Sequence, residues 1–207
     1  MKISYSILTH NETDSLLKLI EFIVKYKDEE DEIVILDDYS DNKKTTEILD
    51  SVVSIHEIKF EQRHLLKDYA GQKNHLTRMC KGKYIFNIDA DELPNKWLMK
   101  NIKTILEANL TIDLYWVPRV NTVKGLTQEH IQKWGWKVNE KGWINFPDYQ
   151  GRIWRNRPNI RWKNPVHEVL EGYKEHTFLP QEEEFCFYHH KGIEKQEKQN
   201  EFYETIN

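Results

Sequence analysis

The apolar run Tyr84-Ile85-Phe86-Asn87-Ile88 passes directly into Asp89-Ala90-Asp91-Glu92, and this junction limits the chain more than any other stretch. A short apolar run of this kind reads as a buried strand. Ending it in carboxylates brings two or three negative oxygens to one point at a sheet edge, with the two-residue repeat sending Asp89 and Asp91 to the same side. Like charges held that close repel unless a cation or a proton lies between them. Hard oxygen ligands suit Mg²⁺ or Mn²⁺, and either ion suits a bound diphosphate. Alone, the same four residues also fit a strand end followed by an acidic helix start. The surrounding sequence decides between the two.

Up to Pro118, strand-like and helix-like stretches alternate. Residues 3–8, 32–36, 55–60 and 84–88 read as strands, and residues 14–27, 42–53, 69–80 and 94–109 as helices. In the first helix Leu16, Leu17, Leu19, Ile20, Ile23 and Val24 recur at helical spacing, and Thr13 or Asp14 can cap it. Pro94 fits the first turn of the last helix. Such alternation predicts an α/β fold with a mixed, mostly parallel sheet flanked by helices. Ligands of these sheets collect outside the carboxyl ends of the strands. Thr9-His10-Asn11-Glu12, Asp37-Asp38 and Asp89 to Glu92 all fall there. That convergence favours a ligand site.

The rest of the chain is different in kind. Strand-like pieces at residues 114–117, 152–155 and 185–188 are separated by long polar-aromatic loops, and residues 193–206 read as a charged terminal helix with Ile193, Phe202, Tyr203 and Ile206 as its few apolar contacts. Seven Trp and ten Tyr are many for 207 residues. Trp134, Trp136 and Trp143 lie in a stretch too irregular for a clear helix or strand; they can wall a sugar or pack a small local core. Trp116, Trp154 and Trp162 sit in strand-like runs and read as structural.

Composition excludes several classes of partner. The formal net charge of −4, with signs well mixed, gives no reason to expect nucleic acid. No run approaches the ~18 apolar residues of a membrane span, and the start does not read as a leader peptide. Cys80 and Cys186 make neither a disulfide framework nor a zinc spacing, as expected of reduced thiols in the cytoplasm.

In chain order, Thr-His-Asn-Glu after the first strand, Leu-Asp-Asp-Tyr-Ser-Asp after the second, Gly-Gln-Lys-Asn before a Lys-Gly-Lys turn, and Asp-Ala-Asp-Glu resemble the family-2 glycosyltransferases of the GT-A fold. Phe146-Pro147-Asp148-Tyr149-Gln150-Gly151-Arg152-Ile153-Trp154-Arg155 and Trp162-Lys163-Asn164-Pro165-Val166-His167-Glu168 resemble the subgroup that includes lipopolysaccharide-core glucosyltransferases of the WaaE type. Each motif is weak alone; their order carries the resemblance. It implies a single GT-A domain over residues 1–207, with a nucleotide-sugar-binding half to residue 118 and an acceptor-side half, ending in the helix, beyond it. It further implies a UDP-sugar donor, a glycan or lipid-linked saccharide hydroxyl as acceptor, inversion at the anomeric carbon, and Mn²⁺ or Mg²⁺ at Asp-x-Asp. A lipid-linked acceptor would bring a cytoplasmic enzyme to a membrane surface.

The resemblance also implies residue roles. Thr9, His10, Asn11 and Glu12 would line base and ribose, His10 standing where relatives commonly carry an aromatic ring. Asp37 or Asp38 would accept the base's ring N–H. Asp89, with Ala90, would face the ribose or metal-bound water; Asp91 would hold the metal, and His189 or His190 would complete its shell. Lys73, beside Gln72, and Arg152 or Arg155 are candidates to share the leaving diphosphate's charge. Lys73 equally suits a solvated helix face, and two arginines three apart on a strand point to opposite faces. His167 is a phosphate or sugar candidate, and each histidine equally suits a structural role. The acceptor's base is Asp148 or Glu168. Asp148 reads as a loop residue before a strand, at a rim or in a turn. Unlike many relatives the chain lacks a Pro before Thr9 and carries Tyr39 where they carry Gly. Among the alternatives, a nucleotidyltransferase would carry a Gly-rich basic loop after its first strand, which Thr9 to Glu12 is not. A phosphohydrolase would carry a richer His and Asp cluster. A non-catalytic nucleotide-sugar or carbohydrate-binding module is the remaining alternative.

Overall fold

A computed structural model describes residues 1–204. The alternating half consists of β1 (Ile3–Thr9), α1 (Asp14–Tyr26), β2 (Glu32–Asp37), α2 (Lys43–His56), β3 (Lys59–Gln62), α3 (Tyr69–Met79) and β4 (Tyr84–Asp89). There follow β5 (Glu92–Pro94), α4 (Lys96–Ala108), β6 (Leu114–Lys124), α5 (Gln128–Trp134) and β7 (Ile144–Arg155). The chain continues through β8 (Arg161–Lys163), β9 (Val169–Glu171), β10 (His176–Phe178), a 3-10 turn at Glu183–Phe185, β11 (Phe187–Gly192) and α6 (Ile193–Glu204).

One sheet runs β3-β2-β1-β4-β7-β6-β11-β5, with β10 against β6, while β8 and β9 form a separate ribbon. Neighbours from β3 to β4 are parallel. β7 runs antiparallel between β4 and β6, and β11 lies parallel to β6. The result is a mixed, mostly parallel sheet.

The strands β1, β2 and β4 are buried residue after residue because helices cover both faces. On β2 the two-residue repeat divides the core: Ile33 and Ile35 pack with α1 and α4, while Val34 and Leu36 face Leu76 and Met79 of α3 and Trp154. Leu16, Leu19, Ile20 and Ile23 are the buried face of α1. Asn42, Asp68 and Asn95 cap α2, α3 and α4 by accepting backbone N–H groups. At the Lys81-Gly82-Lys83 turn a Cβ on Gly82 would stand 2.5 Å from the Ser4 nitrogen, so only glycine fits.

Several boundaries differ from expectation. The third strand starts at Lys59, not at residue 55, because α2 runs on to His56 and leaves Ile55 exposed on its last turn. Pro94 does not open a helix. It ends β5 opposite Phe187 of β11, and Asn95 caps the helix that follows. Trp134 closes a regular helix, α5, which has a Thr127–His130 capping box and ends at Gly135. Phe185 belongs to the 3-10 turn, so the last strand starts at Phe187. β6 and β7 are far longer than the pieces expected. The side chains of Phe202 and Tyr203, and all of Ile206, lie outside the described residues. No described helix is long and apolar enough to cross a membrane.

Candidate active site

Parallel strands that end together leave a hollow at their carboxyl edge. Here it is a cavity of about 440 Å³, lined by Leu8, Thr9, His10 and Glu12 after β1, Asp38 after β2, and Asp89, Ala90 and Asp91 after β4. Leu65, Tyr69, Gln72 and Lys73 form one wall, and Val166, His167 and Glu168 another. The three polar clusters do share one cleft.

At the β2 end the two aspartates have different work. Asp37 is fully buried; it accepts from the Ser40 hydroxyl at 2.6 Å, the Ser40 N–H at 2.9 Å and Gln62 Nε2 at 3.0 Å. Its carboxylate builds the turn and lies outside the cavity wall. Asn11 does likewise, its Oδ1 accepting from the Asp41 and Asn42 N–H groups. This lacing holds Tyr39 at φ 45°, a conformation glycine adopts without strain. Asp38 lines the cavity. Its Oδ1 accepts from the Leu65 N–H at 2.8 Å, and its carbonyl accepts from His10 Nδ1 at 2.8 Å.

On α3, Gln72 is buried against Arg63. Lys73 is not a solvated helix charge: it pairs with Glu168 at 2.5 Å and lies 4.3 Å over the Trp162 ring. His167 adopts φ 55° in the facing wall.

The carboxylates after β4 are the start of a continuous polar network. Arg152 Nη2 donates to Asp89 Oδ2 and to Glu92 Oε1, each at 2.5 Å. Arg119 bridges Glu92 Oε1 at 2.9 Å and Asp148 Oδ2 at 2.6 Å. Arg152 is buried and lies outside the cavity lining. Arg155, on the opposite face, pairs with Asp113 and covers the Tyr84 ring. Burial opposes ionisation of Asp89, but Arg152, with Lys73, outweighs it and holds the carboxyl well below the usual range. Asp148 is likewise lowered, Arg119 and Asn121 overcoming desolvation.

Asp148 is a strand residue, directly opposite Arg119 in the β6–β7 register. Its Oδ2 also accepts from Asn121 Nδ2 at 2.8 Å, while Oδ1 accepts from Gln150 at 2.7 Å. With its amide nitrogen fixed on Asp148, Asn121 turns Oδ1 to His189 Nδ1 at 2.8 Å, which must then donate. In the neutral ring this leaves the Nε2 lone pair facing Asp91 Oδ2, 3.3 Å away. Lys195 of α6 lies 3.2 Å from the same oxygen and 2.5 Å from Glu12. Desolvation opposes a charged Asp91, but an imidazolium at His189, donating from Nε2 in place of the lone pair, and the ammonium of Lys195 hold its carboxyl below the ordinary range. His190 faces away, 2.5 Å from the Thr122 hydroxyl and stacked on Tyr188.

Beyond His189 a second cavity of about 290 Å³ opens, lined by Arg119, Asn121, Thr122, Trp136, Asn145, Lys191 and Gln196 among others. The Asp91–His189 pair therefore stands between two cavities, Asp91 lining one and His189 the other. Trp136 is in the second wall; Trp134 stacks on His130 and Trp143 packs on Phe146. Among the described residues no three His, Cys, Asp or Glu side chains are grouped to hold a metal. Arg119, Asn121 and Lys195 are the participants that sequence reasoning missed. The polar alternation Arg119, Asn121 within an apolar strand was a signal; Lys195, in a charged tail, gave none.

The family model for glycosyl transferase family 2 matches residues 4–175, well over half of the chain. The structure of TarS from S. aureus superposes with a TM-score of 0.61 at 15% identity, covering 91% of this chain and 36% of that one. TarS 1–349 in complex with UDP-GlcNAc gives a TM-score of 0.58 at 15% identity, with coverage of 92% and 59%. Its complex with UDP gives 0.59 at 15% identity, with coverage of 92% and 60%. The chain thus spans less than two thirds of the length of these structures. None of the curated protein sequences compared matches it. At this identity the superpositions speak for the fold, and the family model for the kinship: the chain belongs to glycosyl transferase family 2 and has the GT-A fold.

Proposed function

We propose that the chain moves a hexose from a UDP-sugar to a hydroxyl of a glycan or lipid-linked saccharide, with inversion, as one domain spanning its whole length. The observation that carries this reading is the meeting of two cavities at Asp91 and His189. A nucleoside diphosphate in the larger one would bring its sugar to that seam, and an acceptor in the smaller one would reach it from the far side. TarS, crystallised with UDP and with UDP-GlcNAc, supports the choice of donor. The WaaE-type subgroup and a cytoplasmic site, at a membrane surface where the acceptor is lipid-linked, are part of the same proposal.

Asp38 would accept the base's ring N–H, with His10, Leu65 and Tyr69 around the ring. Thr9 Oγ1, buried in this wall without a hydrogen-bond partner, and Gln72 lie near the ribose end. Lys73 would face the diphosphate, and Glu168, its ion-pair partner, is thereby better placed to position it than to deprotonate an acceptor. Asp91 and His189 fit a divalent cation: a carboxylate and an imidazole lone pair already stand side by side, and this oxygen–nitrogen set suits Mn²⁺ better than Mg²⁺. Such an ion, when bound, supplies Lewis-acid stabilisation of the leaving diphosphate. Asp89 and Arg152 would serve this centre from behind, as its charge framework. Asp148 would be the acceptor's base, since Arg119 and Asn121, which hold it, line the second cavity. Arg119 keeps it ionised, and its Oδ1 accepts just one bond in the network described, from Gln150.

The test is a donor screen with Mn²⁺, following nucleotide release with and without saccharide acceptors. Saccharide-dependent release of UDP is the expected result. Pyrophosphate formed from a nucleoside triphosphate and a sugar phosphate would replace the proposal with a nucleotidyltransferase. Binding of nucleotide sugars without turnover would replace it with a binding module.

A further inference from the structure

The ammonium of Lys195 occupies the point where two carboxylates from distant parts of the chain converge. Glu12 follows β1, Asp91 follows β4, and Lys195 belongs to the first turn of α6, yet Nζ lies 2.5 Å from Glu12 Oε1 and 3.2 Å from Asp91 Oδ2. The helix is held there by contacts of its own. Ile193 packs so closely over Gly125 that a Cβ at that glycine would meet its Cγ2 at 3.2 Å, and Glu197 lies 3.4 Å from His130 on α5.

Without the ammonium, among the described residues, Glu12 would keep only the Ser15 hydroxyl at 3.0 Å and Asp91 only the field of Lys191, with the lone pair of His189 beside them. A compact point charge satisfies such oxygens much as a metal ion does, with no fixed directionality. Unlike an ion, it is tethered. We propose that Lys195 is a resident counter-cation: in the donor-free protein it keeps the place of the divalent ion at Asp91, and it yields that place when ion and diphosphate arrive together. The inference rests on the reading of Asp91 as a metal residue. Displacing an ammonium with a bare divalent ion leaves a surplus of positive charge, whereas an ion arriving with a diphosphate brings its own neutralisation. Ion and donor therefore load as one unit, and the first turn of α6, released from Asp91, carries its charge to the phosphates at the seam.

The test is Mn²⁺ binding to the donor-free chain, followed by electron paramagnetic resonance of the free ion, for wild type, Lys195→Met, Lys195→Arg and Asp91→Asn. Lys195 is half exposed and Met suits a helix, and circular dichroism of each variant checks the fold. Lys195→Met should bind Mn²⁺ about two- to fivefold more tightly, in line with the loss of a partly exposed competing pair, and Lys195→Arg should behave as wild type. Equal or weaker binding by Lys195→Met, with binding abolished in Asp91→Asn, would overturn the role of Lys195 and leave the metal reading in place. Binding indifferent to Asp91→Asn, or none in any variant, would overturn both.

Discussion

At the residue scale the site is a set of charges that satisfy one another. Arg152 illustrates the stakes: it is buried, and it serves Asp89 and a fully buried Glu92 at once. Arg152→Met would leave Asp89 without its ion-pair partner and Glu92 with Arg119 alone among the described residues, and breaking such a buried pair costs about 3–5 kcal/mol. Urea denaturation should show a loss of that order; a loss below about 1 kcal/mol would mean the network relaxes freely. The carboxylates also set an acid limit. Asp89 and Asp148 titrate lower in the folded chain than in the unfolded one. Their contribution is therefore complete above the ordinary carboxylate range and lost as pH falls through and below it. The melting temperature should stay level from neutrality to about pH 5 and fall below about pH 4. For catalysis the telling residue is Asp148. Asp148→Asn keeps the shape and removes the basic oxygen, so transfer should drop by about 10²–10⁴-fold while UDP binding is retained. Undiminished transfer would assign the proton to another group.

At the element scale the strands decide which residue can act. His189 and His190 are adjacent in sequence but stand on opposite faces of β11, one beside Asp91 and the other against Thr122. His189→Ala should weaken Mn²⁺-dependent UDP binding, and His190→Ala should leave it unchanged; the reverse in calorimetry would contradict the assignment. Asn121→Leu offers a finer check. It keeps His189 in place but removes the acceptor for Nδ1–H, and lost outer-shell support of this kind costs about 10–100-fold in metal affinity. Elements also explain what the sequence showed. The strands β1, β2 and β4 are covered on both faces, so their apolar runs were legible, as was the helical spacing of α1. β6 and β7 were legible only at residues 114–117 and 152–155, because Arg119, Asn121, Asp148 and Gln150 replace the apolar repeat where the strands enter the site. Asp148 accordingly read as a loop residue. The helix α2, with Val52 in the core, was legible too; only its last turn was misread, Ile55 and His56 being assigned to the strand that follows.

At the scale of the whole molecule the sheet does the gathering. Three loops about 30 to 50 residues apart reach one cleft because parallel strands end on the same edge, and that much followed from the alternation of elements alone. The side with the second cavity did not. It depends on β7 lying antiparallel between β4 and β6, on β11 adding beyond β6, and on α6 returning to β1 and β4 through Lys195. Such pairings are long-range and leave no local pattern. The ion pairs were hidden for the same reason: Lys73–Glu168 and Lys195–Glu12 join residues far apart in the chain. The central claim is that this cleft holds a nucleoside diphosphate through a cation on Asp91. Titration calorimetry of UDP, with and without Mn²⁺, on wild type and Asp91→Asn tests it directly. The account predicts Mn²⁺-dependent binding to wild type that Asp91→Asn loses; UDP binding equally with or without the ion, and equally to both proteins, would contradict it.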